Sequence, residues 1–473
     1  MSDYFDGTWG TDVADHVLAL VGSRASAVVS AVAGISSLTR FANSCIHQNV
    51  TEDRAFVTLA VALDGGRMAR AVTTRADPAG LAALVERALA AAALRPPDPE
   101  FAGFAPMSPV PAIDHWDDAT SDPTPARRAE VVAAFVDAVR SSAAASGSSG
   151  GGKGRAPEAA GYCATKATTL VLASSTGQRA IGRVTAAEVD GIARAATDGP
   201  PADGLGHATS SRLADLDGAA CGRVAGAKAV AGLTAVSVPP GAWEVVLEPK
   251  AVAEALLFPA YLGFNGKQHA EGTSFVHLGE AQWDAGIDLW DDATDARALG
   301  MPVDHEGTPT ARLDLVRAGV SVGLAHDRRT AALAGAEPTG HSVGAEAMGA
   351  IPTDLFLGPA AGASPPPSSP SGDVLAGVER GLLVSDLWYN RILDPKSQVV
   401  TGLTRNGLFL VEGGQVVGAV RNLRYTQSIA GAFGPGRVLA LGDDARLVGQ
   451  DGVRVFTPSV RLARWAFTGD ATG

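Results

Sequence analysis

Gly407–Val420 reads GLFLVEGGQVVGAV, two apolar runs that meet at Gly413-Gly414. Paired glycines supply the positive φ that a tight turn demands, so the stretch predicts a β-hairpin. Short runs of the same texture recur from the Pro239-Pro240-Gly241 punctuation to the C-terminus: TSFVHLG (273–279), RLDLVRAG (312–319), LLVSDL (382–387) and RVLALG (437–442). One helical segment, KAVAEALLFPAYLG (250–263), interrupts them. Many short strands broken by glycine turns predict a β-rich, barrel-like or sandwich C-terminal domain over residues 236–473.

Upstream the texture is mixed, and the whole chain is expected to be α+β, with an N-terminal α/β region over 1–235 in two lobes, about 1–112 and 113–235. Residues 12–32 are helix formers. Strands are predicted over 37–42 and 55–63, the second ending at an Asp64-Gly65-Gly66 turn. Asp77-Pro78 opens LAALVERALAAAAL with an N-cap and a proline at the first helical position. The second lobe has a Pro-led helix, PARRAEVVAAFVDAVRSSAAA, a Gly/Ser-rich loop over 141–155, and strands in TKATTLVLAS and 181–184 joined at Ser175-Thr176-Gly177. Leu213, Leu216, Val224 and Ala227 space a third helix over 213–231, against the helix-weakening Gly222 and Gly226. The Pro/Ser tract 363–372 reads as a surface loop.

With 473 residues, 46% of them hydrophobic, the chain is expected to build more than one core. A net charge of −12 with no Lys/Arg-rich run argues against nucleic acid and anionic membrane as partners. Cys45, Cys163 and Cys221 are too scattered for a disulfide framework or a zinc knuckle. The acidic start, MSDYFDGTWGTDVADHV, lacks the basic and apolar regions of a secretory signal, and no apolar run is long enough for a spanning helix. A cytoplasmic location is expected.

The stretch 266–340 is the most distinctive. It carries Gly272-Thr273-Ser274-Phe275, the acids Asp291 and Asp292, then Asp304-His305-Glu306-Gly307-Thr308-Pro309, Asp327, Thr330-Ala331 and Glu337-Pro338-Thr339-Gly340. In order and spacing this series resembles the TldD/PmbA peptidase family. Arg40-Phe41-Ala42-Asn43, Trp243–Leu247, Leu383–Leu387 and Gly402–Glu412 extend the resemblance over most of the chain, densely from 239 to 420. Arg40, Phe41, Asn43, Ser274, Asp291, Asp292, Asp304, Glu306, Gly307, Thr339 and Gly340 are therefore candidates for family-motif or substrate-cavity roles.

The resemblance also implies where metal chemistry would sit. TldD-type members carry a His-Glu-x-x-x-His helix just after the lead-in strand and a cysteine near the C-terminus, and two imidazoles with a thiolate can hold zinc while the glutamate acts as base. Here the corresponding helix reads Ala251-Val252-Ala253-Glu254-Ala255-Leu256-Leu257, and residues 438–473 contain no cysteine. That pattern is similar to the TldE, or PmbA, side of the family. It implies a chain without metal or catalytic residues of its own, paired in a cytoplasmic heterodimer with a TldD-like subunit that holds a divalent metal, zinc, and cleaves peptide substrates. Cavity wall and partner stabilisation would be this chain's share.

Other readings stay open. His269, His277, His305 and Glu306 could build an unconventional metal site for an independent amide hydrolase, although Gly307 and Pro309 preclude a zincin helix there. A homodimeric peptide-binding scaffold is the third possibility. Asp291, Asp292, Asp304 and Glu306 suit acid/base chemistry or turn formation, and the Arg40 fork suits a peptide carboxylate or an internal salt bridge. Gly147–Lys153 imitates a phosphate-binding loop but is followed by Gly154, where a magnesium-binding Ser or Thr is needed. The same tract contains Gly147-x-Ser149-x-Gly151 without the preceding strand of a nucleophile elbow.

Overall fold

The computed structural model describes residues 5–145, 156–196, 201–362, 374–450 and 452–471. The glycine-rich imitations of nucleotide and nucleophile motifs, most of the 141–155 loop and the 363–372 tract lie outside these residues.

Six antiparallel strands form the N-terminal sheet: β1 (Ser26–Ala42), β2 (Cys45–Leu63), β3 (Arg67–Thr73), β4 (Glu158–Ser174), β5 (Arg179–Ala195) and β6 (Ala202–Ser210), in the order β3-β2-β1-β4-β5-β6. Both lobes read from the sequence contribute to this one sheet, joined where β1 pairs with β4 from Val28–Ser174 to Phe41–Gly161. Helices α1 (Thr8–Val21), α2 (Pro78–Ala93), α3 (Pro125–Ala145) and α4 (Gly218–Gly232) cover one face. Val13 and Val17 of α1 and Leu84 of α2 pack on Val29, Ala31 and Leu59, while Phe135 of α3 and Ala225 of α4 pack on Cys163, Val189 and Ala193. Strand side chains alternate between faces, so the even-numbered residues of β5 look the other way.

Two helix expectations are corrected. Residues 26–32 are strand, because the odd positions Ala27, Val29 and Ala31 bury against helices and the β-branched residues suit a sheet. Helix α4 begins only at Gly218, where Asp217 accepts from the Ala220 amide at 2.8 Å; Leu213–Asp215 is a separate 3₁₀ turn. The glycines of α4 are packing sites, since a Cβ on Gly222 would meet the Phe135 carbonyl at 2.3 Å and one on Gly226 the Ser142 hydroxyl at 2.1 Å. Close helix approach overrides their low propensity.

The C-terminal half carries β7 (Gly241–Leu247), α5 (Pro249–Phe258), β8 (Ile287–Asp291), β9 (Leu313–Arg317), β10 (Val320–Ser321), α6 (Arg328–Ala334) and β11 (Asp354–Pro359). Then follow β12 (Arg380–Asp394), β13 (Val399–Glu412), β14 (Gln415–Ala419), β15 (Leu423–Ser428), β16 (Val438–Leu441), β17 (Arg446–Gln450), β18 (Val453–Thr457) and β19 (Val460–Asp470). Strands β12, β7, β19, β15 and β13 are hydrogen-bonded in that order, and β12–β13 pairing closes them into a five-stranded barrel. The hairpin at Gly413-Gly414 attaches β14 to its wall. A second sheet, β10-β9-β8-β11-β18-β17, stands beside the barrel, and α5 lies between them in contact with β12, β17 and β18. That position explains why Ala251 to Leu256 are all buried. The strand expected over 273–279 is instead an irregular loop. Phe275 packs against Phe264 and Trp283, and the Ser274 hydroxyl donates to the Gly263 carbonyl at 2.6 Å, so local anchoring replaces a ladder. Among the described residues no helix is long and apolar enough to cross a membrane.

Candidate functional site

Two buried polar regions stand out, one in the C-terminal half and one where it meets the N-terminal sheet. The first gathers much of the distinctive 291–341 series. Asp291 accepts from the Asp354 amide at 2.6 Å and meets His341 Nε2 at 3.0 Å, while Asp354 takes both arms of Arg454 at 2.7 Å. Burial alone would lower the His341 value; the Asp291 carboxylate outweighs it and raises it above the ordinary imidazole range. Asp304 accepts from the amides of Glu306, Thr308 and Ser342, stapling the turn. Burial still pushes its carboxyl up to about 6. Glu306, raised to about 7 by burial and by Asp304, accepts from the Arg328 amide at 3.0 Å at the start of α6, where Asp327 caps Thr330.

The Asp304-His305-Glu306 turn separates two cavities. Glu306 lines one of 460 Å³ with Arg70, Arg328, Phe101 and Phe104; Asp291, Asp304 and Gly340 line the other, of 300 Å³. Arg70 and Arg328 bond main-chain carbonyls there, Arg70 that of Gly344 and Arg328 those of Ala102 and Gly103. The remaining candidates line neither. Thr339 closes a mutual pair with the His326 main chain, Asp292 holds Thr294, and Gly307 has a φ of +87°. Phe41 is core beside Phe135, Arg40 is exposed, and Asn43 with φ +50° turns the β1–β2 hairpin. Nor are His269, His277, His305 and Glu306 brought into one donor group. Among the described residues the single such group is Glu188, Asp190 and His207.

That group belongs to the second region, where the helix-free face of the N-terminal sheet meets the barrel. Glu188 and Asp190 lie two apart on β5, and His207 of β6 stands opposite Asp190. Helix α5 brings Lys250 and Glu254, one turn apart, from the other side; Lys250 Nζ is 3.5 Å from Asp190 Oδ2. Asn390 donates to Glu254 at 2.6 Å and receives from the Tyr425 hydroxyl at 2.6 Å; Asn406 donates to Asp386 at 2.8 Å. Burial and the Asp386 charge push Glu254 up to about 9, so it is protonated at neutral pH. Burial opposes the Lys250 charge, but Asp190, Asp386, Glu254 and Glu188 outweigh it and raise its value. His207 is driven down to about 3 by burial and by Lys250, and is neutral.

Sequence reasoning passed over this region, although two signals pointed to it: Lys and Glu at i and i+4 on an otherwise apolar helix, and Glu-x-Asp at strand period. The helix lies where the family resemblance sets the metal-binding motif. The family's metal does not fit there, because α5 presents an ammonium and a protonated carboxyl and no imidazole or thiol.

Fold and site together define a two-part α+β protein with a metallopeptidase-type fold, whose helix α5 carries part of a buried charge cluster. Residues 240–469 match the model of the PmbA/TldA metallopeptidase C-terminal domain. The chain belongs to the TldD/PmbA family. Solved structures share its fold along nearly the whole length. TldE from Thermococcus kodakarensis aligns with a TM-score of 0.82 at 16% identity, covering 98% of this chain and 100% of that one. A protein from Thermotoga maritima described as a putative modulator of a DNA gyrase gives 0.82 at 16%, covering 97% and 100%. One from Bacteroides thetaiotaomicron with a similar description gives 0.77 at 17%, covering 98% and 99%. No curated protein matches by sequence.

Proposed function

We propose that this chain is a TldE-type, non-catalytic subunit that pairs in the cytoplasm with a TldD-like chain, the partner supplying a divalent metal, zinc, and the peptide-cleaving chemistry. One observation carries the reading: α5, the helix to which the family resemblance assigns the metal ligands, offers Lys250 and Glu254 but no imidazole or thiol, and Lys250 lies 3.5 Å from the buried Asp190 carboxylate. An ammonium cannot activate water as a Lewis acid does. The likeness to a solved TldE supports the same assignment at the level of fold. The chain's contribution is then to shape a cavity and hold its partner. The 460 Å³ cavity, with Arg70 and Arg328 on its wall, suits carboxylates or carbonyls of an extended peptide.

Co-expression with a TldD-like chain tests this. A stable complex is expected whose peptidase activity disappears when the partner's metal ligands are changed and persists in Lys250→Met of this chain. Peptide cleavage by this chain alone, or failure to co-purify under gentle conditions, would sink the assignment.

A further inference from the structure

Three lone-pair donors converge on the helix-free face of the N-terminal sheet. His207 Nδ1 lies 3.5 Å from Asp190 Oδ2 and 3.8 Å from Glu188 Oε1, and the three donor atoms all fall within 4.8 Å of one another. The His207 side chain is only 3% exposed, and its Nδ1 has no hydrogen-bond partner. Its other ring nitrogen faces the Thr209 hydroxyl at 3.4 Å, which leaves Nδ1 directed between the two carboxylates. These separations are too long for hydrogen bonds. They match the edges of a coordination polyhedron with ligands about 2.0–2.2 Å from a zinc-sized ion.

The surroundings are organised as they would be around an ion. Tyr162 donates at 3.2 Å to Glu188 Oε1, the oxygen that faces His207, and so orients that carboxylate. β-pairing sets Asp190 directly against His207, so the donors are held by a sheet rather than by a loop. An imidazole lone pair buried against carboxylates is repulsive unless a proton or a cation lies between them, and the nearest cation, Lys250, reaches only Asp190 among the three.

We propose that Glu188, Asp190 and His207 form a divalent-cation site, of zinc-type ligand chemistry, that clamps the face of the N-terminal sheet beside α5. The ion shares Asp190 with Lys250, so ion and ammonium compete; when the ion binds, Lys250 keeps the attraction of the buried Asp386 carboxylate. The site is separate from the helix position used for metal by the family, and it stands independently of the subunit assignment.

Titrating the chelator-treated full chain with Zn²⁺ by calorimetry, with Co²⁺ absorption as a second readout, tests it. One ion per chain is expected, weakened at least tenfold by His207→Ala and by Asp190→Asn, and tightened severalfold by Lys250→Met. Binding that survives His207→Ala unchanged would place the ion elsewhere, at exposed histidines such as His269, and would overturn the proposal. So would an absence of stoichiometric binding by the folded chain. If His207→Ala does not fold, the Lys250→Met arm decides: unaltered affinity counts against the site. Partner capture does not enter these readouts, so the site and the subunit assignment fail separately.

Discussion

The Asp291–His341–Asp354–Arg454 network and the Lys250–Glu254–Asp386 cluster are both buried and both rich in charge, yet they are finished differently. In the first, the carboxylate oxygens find amides, a guanidinium or an imidazole. In the second, Asn406 Oδ1 and His207 Nδ1 have no partner. Burying a polar atom without a partner costs about 1–3 kcal/mol, and a fold tolerates that more readily where something else can complete the set. The satisfied network therefore reads as scaffold around the Asp304–Glu306 turn, and the unfinished cluster as the place where this chain still has chemistry to offer.

The largest expected effect belongs to the scaffold. Arg454→Ala strands the buried Asp354 carboxylate, and urea denaturation should register a loss of about 3–5 kcal/mol; a loss under 1 kcal/mol would break the contrast. Glu254→Gln should act in the opposite sense. Its folded value, about 9, lies above the ordinary 4.5, so the folded state holds a proton that the unfolded state releases, and stability falls as pH rises through that window. The variant mimics the protonated form, so thermal melts at pH 8 should find it about 1–3 kcal/mol more stable than the parent, with the two converging near pH 4. Equal melting at every pH would mean that Glu254 carries no trapped proton.

A smaller effect follows from His341, whose value is raised by Asp291. The stabilisation is complete below the ordinary imidazole value of 6.5 and is lost as pH climbs through the raised folded value. Replacing His341 with Gln should remove that slope at a cost of about 1–2 kcal/mol in acid, measurable as a stability profile that is flatter above the ordinary imidazole value of 6.5. The smallest belongs to Arg40→Ala. The side chain is exposed, and denaturation midpoints should move by no more than about 0.5 kcal/mol. Loss of partner capture in this variant would instead make it an interface residue.

Local chemistry was enough to determine a good deal of this protein from its residues alone. The glycine turns at 65–66 and 413–414, the Asp77-Pro78 helix start and the run of short C-terminal strands are governed by neighbours in the chain, and they appear where the sequence puts them. Tertiary structure alone decided the rest. Residues 26–32 became strand because long-range burial outweighed helix propensity, and Gly222 and Gly226 stayed helical because α3 presses against them. The meeting of Lys250 with Asp190, and of both with His207, depends on a barrel helix docking against a sheet face sixty residues away in the chain. Carboxylates spread between Glu188 and Asp386 give no local signal of sharing one buried space, because Coulomb energy follows distance in space and burial, neither of which is written in residue order.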